Sequence, residues 1–174
     1  MRTALLFIDV QQALIDECPA RMDEFMLNLK MRIDAAHKND TEVIYVRHDG
    51  GENDVLAFGS PGWQLERSLT PRADERVFDK RFGSAFRHTG LHEYLTGKGI
   101  ARLVVCGMQT EYCIDTSVKV AFEHGYEVDI PSEATTTYAY PFLSGEKLIQ
   151  YYERMIWQEP LARVADMEDA LSLL

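Results

Sequence analysis

No apolar run in this 174-residue sequence reaches the length of a membrane span, for which about 20 consecutive apolar residues are needed. The amino end is too short in its apolar part for a signal peptide, and Asp9 interrupts it. A cytoplasmic protein without membrane attachment is therefore expected. Positive charge is also scarce. Against 28 Asp and Glu stand 18 Lys and Arg, a net charge of −10. Nonspecific nucleic-acid binding needs a basic face, so this balance argues against it. Cysteine is sparse, and Cys18, Cys106 and Cys113 show neither Cys-x-x-Cys nor zinc-type spacing. An odd count in a reducing compartment predicts free thiols. Internal repeats and low-complexity segments are absent, which excludes a repeat architecture.

What is present is ordinary for a soluble globular chain: 46% hydrophobic and 26% charged residues, in a length that fits one domain over 1–174. The stretch 4–10 is a near-continuous apolar run and predicts a central parallel strand covered on both faces. Met22, Phe25, Met26, Leu29, Ile33 and Ala36 recur at helical spacing over 22–38. A second strand is predicted over 42–47. After it comes a long irregular stretch from His48 to Trp63, of a kind that is usually functional in a compact domain.

A short third strand over 76–79 is followed by a helix over 90–98, which Gly99 caps. The fourth strand, 103–106, is broken by Gly107. A helix over 113–124 carries Val118, Ala121 and Phe122 at helical spacing. Then come a fifth strand over 127–130, a Thr-rich loop over 134–138 and a helix over 144–157. An edge strand over 162–164 and a helix over 167–173 complete the chain. Strands alternating with helices predict the α/β class, a parallel sheet with right-handed crossovers.

Asp9, Lys80 and Cys113 each fall at or just past the carboxyl end of a predicted strand. In a parallel sheet those ends share one edge, where open α/β folds place ligands. Cys113 also falls at a predicted helix start, whose partial positive charge favours a thiolate. An ammonium beside it stabilises the thiolate, and a carboxylate takes the thiol proton and returns it to a leaving amine. Bland readings remain open at this point. Cys113 reads equally as a small core residue, Lys80 as one charge of Asp79-Lys80-Arg81, and Asp9 as a loop cap.

Three segments carry a resemblance. Leu6-Phe7-Ile8-Asp9-Val10-Gln11, Lys80-Arg81-Phe82-Gly83-Ser84-Ala85-Phe86 and Cys106-Gly107-Met108-Gln109-Thr110-Glu111-Tyr112-Cys113 resemble, in order and spacing, motifs of the isochorismatase-like cysteine hydrolases. The match extends to about Tyr138. It implies a three-layer α/β/α Rossmann-like sandwich with a six-stranded parallel sheet. It also implies a catalytic triad of Asp9, Lys80 and Cys113, and a homodimer or higher homo-oligomer. A cis peptide between Met108 and Gln109 is implied as well, with the N–H groups of Gln109 and Cys113 as the oxyanion hole. Nicotinamidases of this group carry an Asp-x-His motif and a further His that bind a metal. His48, Asp49, Glu52 and Asp54 do not reproduce that spacing, so neither metal nor cofactor is expected.

The expected activity is hydrolysis of a C–N bond, amide or ureido, in a small molecule through a thioester. Gln11, His48, Trp63, Phe86 and Tyr112 are candidate pocket residues, with Phe58 beside them, because small-molecule sites are largely apolar with a few polar groups. The alternatives are a vinyl-ether hydrolase using Asp9 alone, since true isochorismatases lack the cysteine, and a non-catalytic binding or assembly protein on the same fold. A thiol redox sensor ranks lower, because its resolving cysteine would be the strand residue Cys106.

Overall fold

Strand β1 (Arg2–Ile8) is the centre of the molecule. Ala4 to Ile8 are at most 1% exposed, so both faces of the strand are covered. That is why the run is apolar without alternation. The computed structural model describes all 174 residues. The remaining strands are β2 (Glu42–His48), β3 (Arg76–Lys80), β4 (Ile100–Met108), β5 (Glu127–Pro131), β6 (Thr135–Thr136) and β7 (Arg163–Ala165). They pair in parallel in the order β3-β2-β1-β4-β5-β7, with β6 beside the end of β4. The helices are α1 (Gln12–Asp16), α2 (Met22–Lys38), α3 (Leu91–Gly97), α4 (Asp115–Glu123), α5 (Gly145–Tyr151) and α6 (Met167–Ser172). None is long and apolar enough to cross a membrane.

Two cores lie on the two faces of the sheet. Ala4, Leu6, Ile8, Ile44, Val46 and Val105 pack with Leu91 and Leu95 of α3 and Val118 and Ala121 of α4. Leu5, Phe7, Val43, Tyr45, Val104 and Cys106 pack with Phe25, Leu29 and Ala36 of α2. Alternation along each strand sends its residues to the two layers in turn. Each fully buried aliphatic or Phe side chain contributes about 1.5–3 kcal/mol.

The sheet winds outward in both directions from β1. β2 and β3 lie on one side, and β4 and β5 on the other. The β1–β4 boundary is thus the switch point, where a crevice opens at the carboxyl ends of the strands. Gly107 does not end β4, contrary to the sequence expectation. Its φ of 130° continues the strand in a conformation that side-chain-bearing residues rarely adopt. A Cβ there would lie 2.0 Å from the Ile8 carbonyl oxygen, so only glycine lets β1 and β4 approach this closely. The predicted Thr-rich loop contains β6, in register with Gly107 and Met108. The sheet therefore has six strands on its continuous path and a seventh at its edge near the crevice.

Candidate active site

Asp9 follows β1 with φ at 56°, in the left-handed region that Asp and Asn tolerate better than most residues. Extended backbone would aim it to the same side as Leu5 and Phe7, toward α2. The left-handed turn brings its carboxylate instead to the α3/α4 side, where Lys80 waits. The Asp9 N–H is held by the Val46 carbonyl at 2.9 Å. Lys80 ends β3 in register with His48, the last residue of β2. The two side chains therefore stand side by side on one face.

Lys80 Nζ donates to Asp9 Oδ2 at 2.7 Å and to Cys113 Sγ at 3.2 Å, and lies 3.2 Å from His48 Nδ1. An ammonium has three N–H donors, and each here has one partner. The Lys80 side chain is 0% exposed and that of Asp9 3%. Asp9 Oδ1 is buried with no hydrogen-bond partner in the protein. Burial disfavours the Lys80 charge, but Asp9 and Cys113 outweigh it and hold its pKa above the usual value. For His48, burial and then Lys80 push the pKa down.

Cys113 does not sit at the start of an α-helix. It lies in a π-helical turn over Thr110–Ile114, and α4 begins two residues later at Asp115. Such turns are frequent at functional sites. Burial first, and then the Asp9 carboxylate, push the Cys113 thiol up to about 12 against the opposing pull of Lys80. Loss of water around the sulfur and repulsion by Asp9 thus oppose ionisation of the thiol, while Lys80 favours it.

The Met108–Gln109 peptide bond is cis, and the Gln109 N–H finds no backbone acceptor. Gln109 is also the entry to the π turn, and its carbonyl accepts from Tyr112 and Ile114 N–H. Thr110 Oγ1 donates at 3.2 Å toward both Thr135 Oγ1 and the Thr136 carbonyl, tying the turn to β6.

The expected pocket residues separate into different roles. Gln11 is 0% exposed. Its amide accepts from His48 N–H at 2.8 Å and donates to the carbonyls of His48 at 3.0 Å and Trp63 at 2.8 Å. It is a bracket for the backbone beside the site. Trp63 is covered by the Arg47 guanidinium at 3.5 Å from its ring centroid and by Phe58 at 4.5 Å. Its carbonyl shares the Gln11 amide with the carbonyl of His48. Phe86 belongs to the core with Tyr126 and His124. His48 is in hydrogen-bond reach of Lys80, and Tyr112 is 53% exposed.

The loop carboxylates hold the loop itself. Asp49 accepts from Gly51 and Phe58 N–H and from Arg81, and Asp54 accepts from Leu56 N–H. The sequence reading passed over a rim network. Glu111 Oε1 accepts from Thr137 at 2.8 Å and Tyr140 at 3.0 Å, and Tyr140 also meets the Tyr112 hydroxyl at 2.9 Å. Two Tyr and a Glu at the nucleophile segment and in the Thr-rich stretch were the only available signal.

The Isochorismatase domain family matches residues 3–143, and the chain belongs to this family. Among curated proteins it is 31% identical over 144 residues to streptothricin hydrolase of Streptomyces noursei, with 82% of this chain and 57% of that protein covered. It is 27% identical over 150 residues to nicotinamidase 3 of Arabidopsis thaliana, covering 78% and 73%. The chain spans little more than half the length of the streptothricin hydrolases it matches. Among solved structures, an isochorismatase from Pseudomonas putida KT2440 superposes with a TM-score of 0.88 at 29% identity, covering 96% of this chain and 89% of that one.

Proposed function

We propose that this protein is a metal-independent cysteine hydrolase that cleaves a C–N bond, amide or ureido, of a small molecule. One observation carries the reading. A buried lysine bridges a carboxylate at 2.7 Å and a cysteine sulfur at 3.2 Å at the switch point of a parallel sheet. Relatives named nicotinamidase, streptothricin hydrolase and ureidoacrylate amidohydrolase support it.

The reaction starts from the thiol. Asp9 takes the Cys113 proton as the sulfur attacks the carbonyl carbon, and the π electrons move onto oxygen. The backbone N–H groups of Gln109 and Cys113 hold that oxyanion, a contribution of about 2.7–4 kcal/mol per donor in comparable sites. The C–N bond then breaks, and protonated Asp9 gives its proton to the leaving nitrogen. Asp9 next takes a proton from water, which attacks the thioester and releases the acid. The sulfur leaves as thiol by recovering that proton. Lys80 stays charged throughout and holds both partners in place. In this scheme the proton moves to Asp9 as the sulfur attacks.

The test is a panel of small amides and ureido acids, read by ammonia release, with the Cys113→Ala protein beside it. Release by the parent and none by the variant is expected. Vinyl-ether cleavage that survives Cys113→Ala would point instead to Asp9 acting alone.

A further inference from the structure

Lys80 is buried on every side, so something must fix where its ammonium sits between Asp9 and Cys113. We propose that His48 is the positioning residue for Lys80: its imidazole accepts the third ammonium N–H through Nδ1, which leaves the ring proton on Nε2. The inference rests on the reading of Cys113 as nucleophile and adds a fourth group to it.

The geometry supports the Nδ1 contact. His48 Nδ1 is 3.2 Å from Lys80 Nζ. An ammonium has no lone pair to offer, so Nδ1 is the acceptor and the ring proton is on Nε2. Burial and then the lysine charge push the ring's pKa down. The backbone that carries the ring is fixed, because Gln11 holds the His48 N–H at 2.8 Å and its carbonyl at 3.0 Å. Without the imidazole, Lys80 Nζ has only Asp9 and Cys113 as partners. A full carboxylate attracts an ammonium more strongly than a neutral thiol does, so the lysine then leans toward Asp9. The sulfur loses the contact that favours its ionisation.

Two measurements test this without a substrate. Imidazole nitrogen NMR of the parent protein reads the His48 tautomer, expected as Nε2–H with Nδ1 shifting in Lys80→Met. Iodoacetamide alkylation of Cys113, in a Cys18→Ser background and read by intact mass, reports the thiolate fraction. His48→Phe is expected to slow it about tenfold at pH 8, one unit in the thiol titration. His48→Asn, which keeps an oxygen acceptor near Nδ1, is expected to restore the parent rate. In Lys80→Met the two substitutions should have equal effects, since the coupling is then gone. A proton on Nδ1, or equal slowing by His48→Phe with and without Lys80, would overturn the proposal and reduce His48 to a packing residue. Amide turnover is scored separately, so the loss of the hydrolase reading and the loss of this one are distinguishable.

Discussion

Asp9→Asn isolates the electrostatics of the site almost without changing its shape. The side chains are isosteric. Asparagine tolerates the left-handed backbone at φ 56° as well as aspartate does, so no strain is added. What disappears is the charge that balances Lys80 across 2.7 Å, in a pair whose side chains are 0% and 3% exposed. Breaking a buried pair by removing one partner costs about 3–5 kcal/mol. Here the lysine keeps His48 and Cys113 as acceptors, which puts the loss at the low end, about 3 kcal/mol. For a chain of this size that lowers Tm by roughly 6–12 °C.

The assay is urea unfolding at pH 7 followed by tryptophan fluorescence, with thermal melts beside it. The double variant Asp9→Asn/Lys80→Met, which removes both charges, is expected to be more stable than Asp9→Asn alone. A loss below about 1 kcal/mol, the range of exposed pairs, would refute the reasoning. So would strict additivity in the double variant, because coupled neighbours do not add.

Other outcomes follow from particular contacts. Cys113 alkylation by iodoacetamide should rise about tenfold per pH unit from 7 to 10 without a plateau, because thiolate fraction limits the rate of a thiol pushed up to about 12; a plateau near neutrality would contradict the upward shift. Cys18, the exposed thiol, should label before Cys113, and buried Cys106 last, as peptide mapping will show. The raised Cys113 pKa also makes unfolding easier above the thiol's ordinary value of 9.0, where the unfolded chain ionises and the native chain does not; stability should fall as pH rises from 9 toward 12. Gln11→Leu orphans the His48 N–H and weakens the hold on two carbonyls. It should cost about 1–3 kcal/mol in urea melts. Gly107→Ala forces a Cβ to 2.0 Å from the Ile8 carbonyl and should cost more than about 4 kcal/mol or yield insoluble protein.

Elements with strong local signals were legible. β1, β2 and β4 are apolar runs covered on both faces, and α2 carries a regular stripe. The positions of Asp9, Lys80 and Cys113 at strand ends were enough to gather them on one edge. What was not legible depended on tertiary context. β6 is two polar residues that are a strand only because β4 continues past Gly107 beside them. The face on which Asp9 lands depends on a left-handed φ that no spacing announces. The neighbours of Trp63 and Phe86 were not legible either: one packs under the Arg47 guanidinium and the other joins the core with α3 and α4. The Cys113 titration could not be read from its neighbours in sequence, because burial dominates it.

The central claim is that Cys113 forms a covalent acyl intermediate. On the best substrate from the amide and ureido panel, rapid acid quench followed by peptide mass mapping tests it directly. The expected result is an acyl adduct on the peptide containing Cys113 during turnover, with kcat/KM lower by about four orders of magnitude or more in Cys113→Ala. Full turnover by Cys113→Ala, with no adduct on that peptide in the parent, would contradict the account.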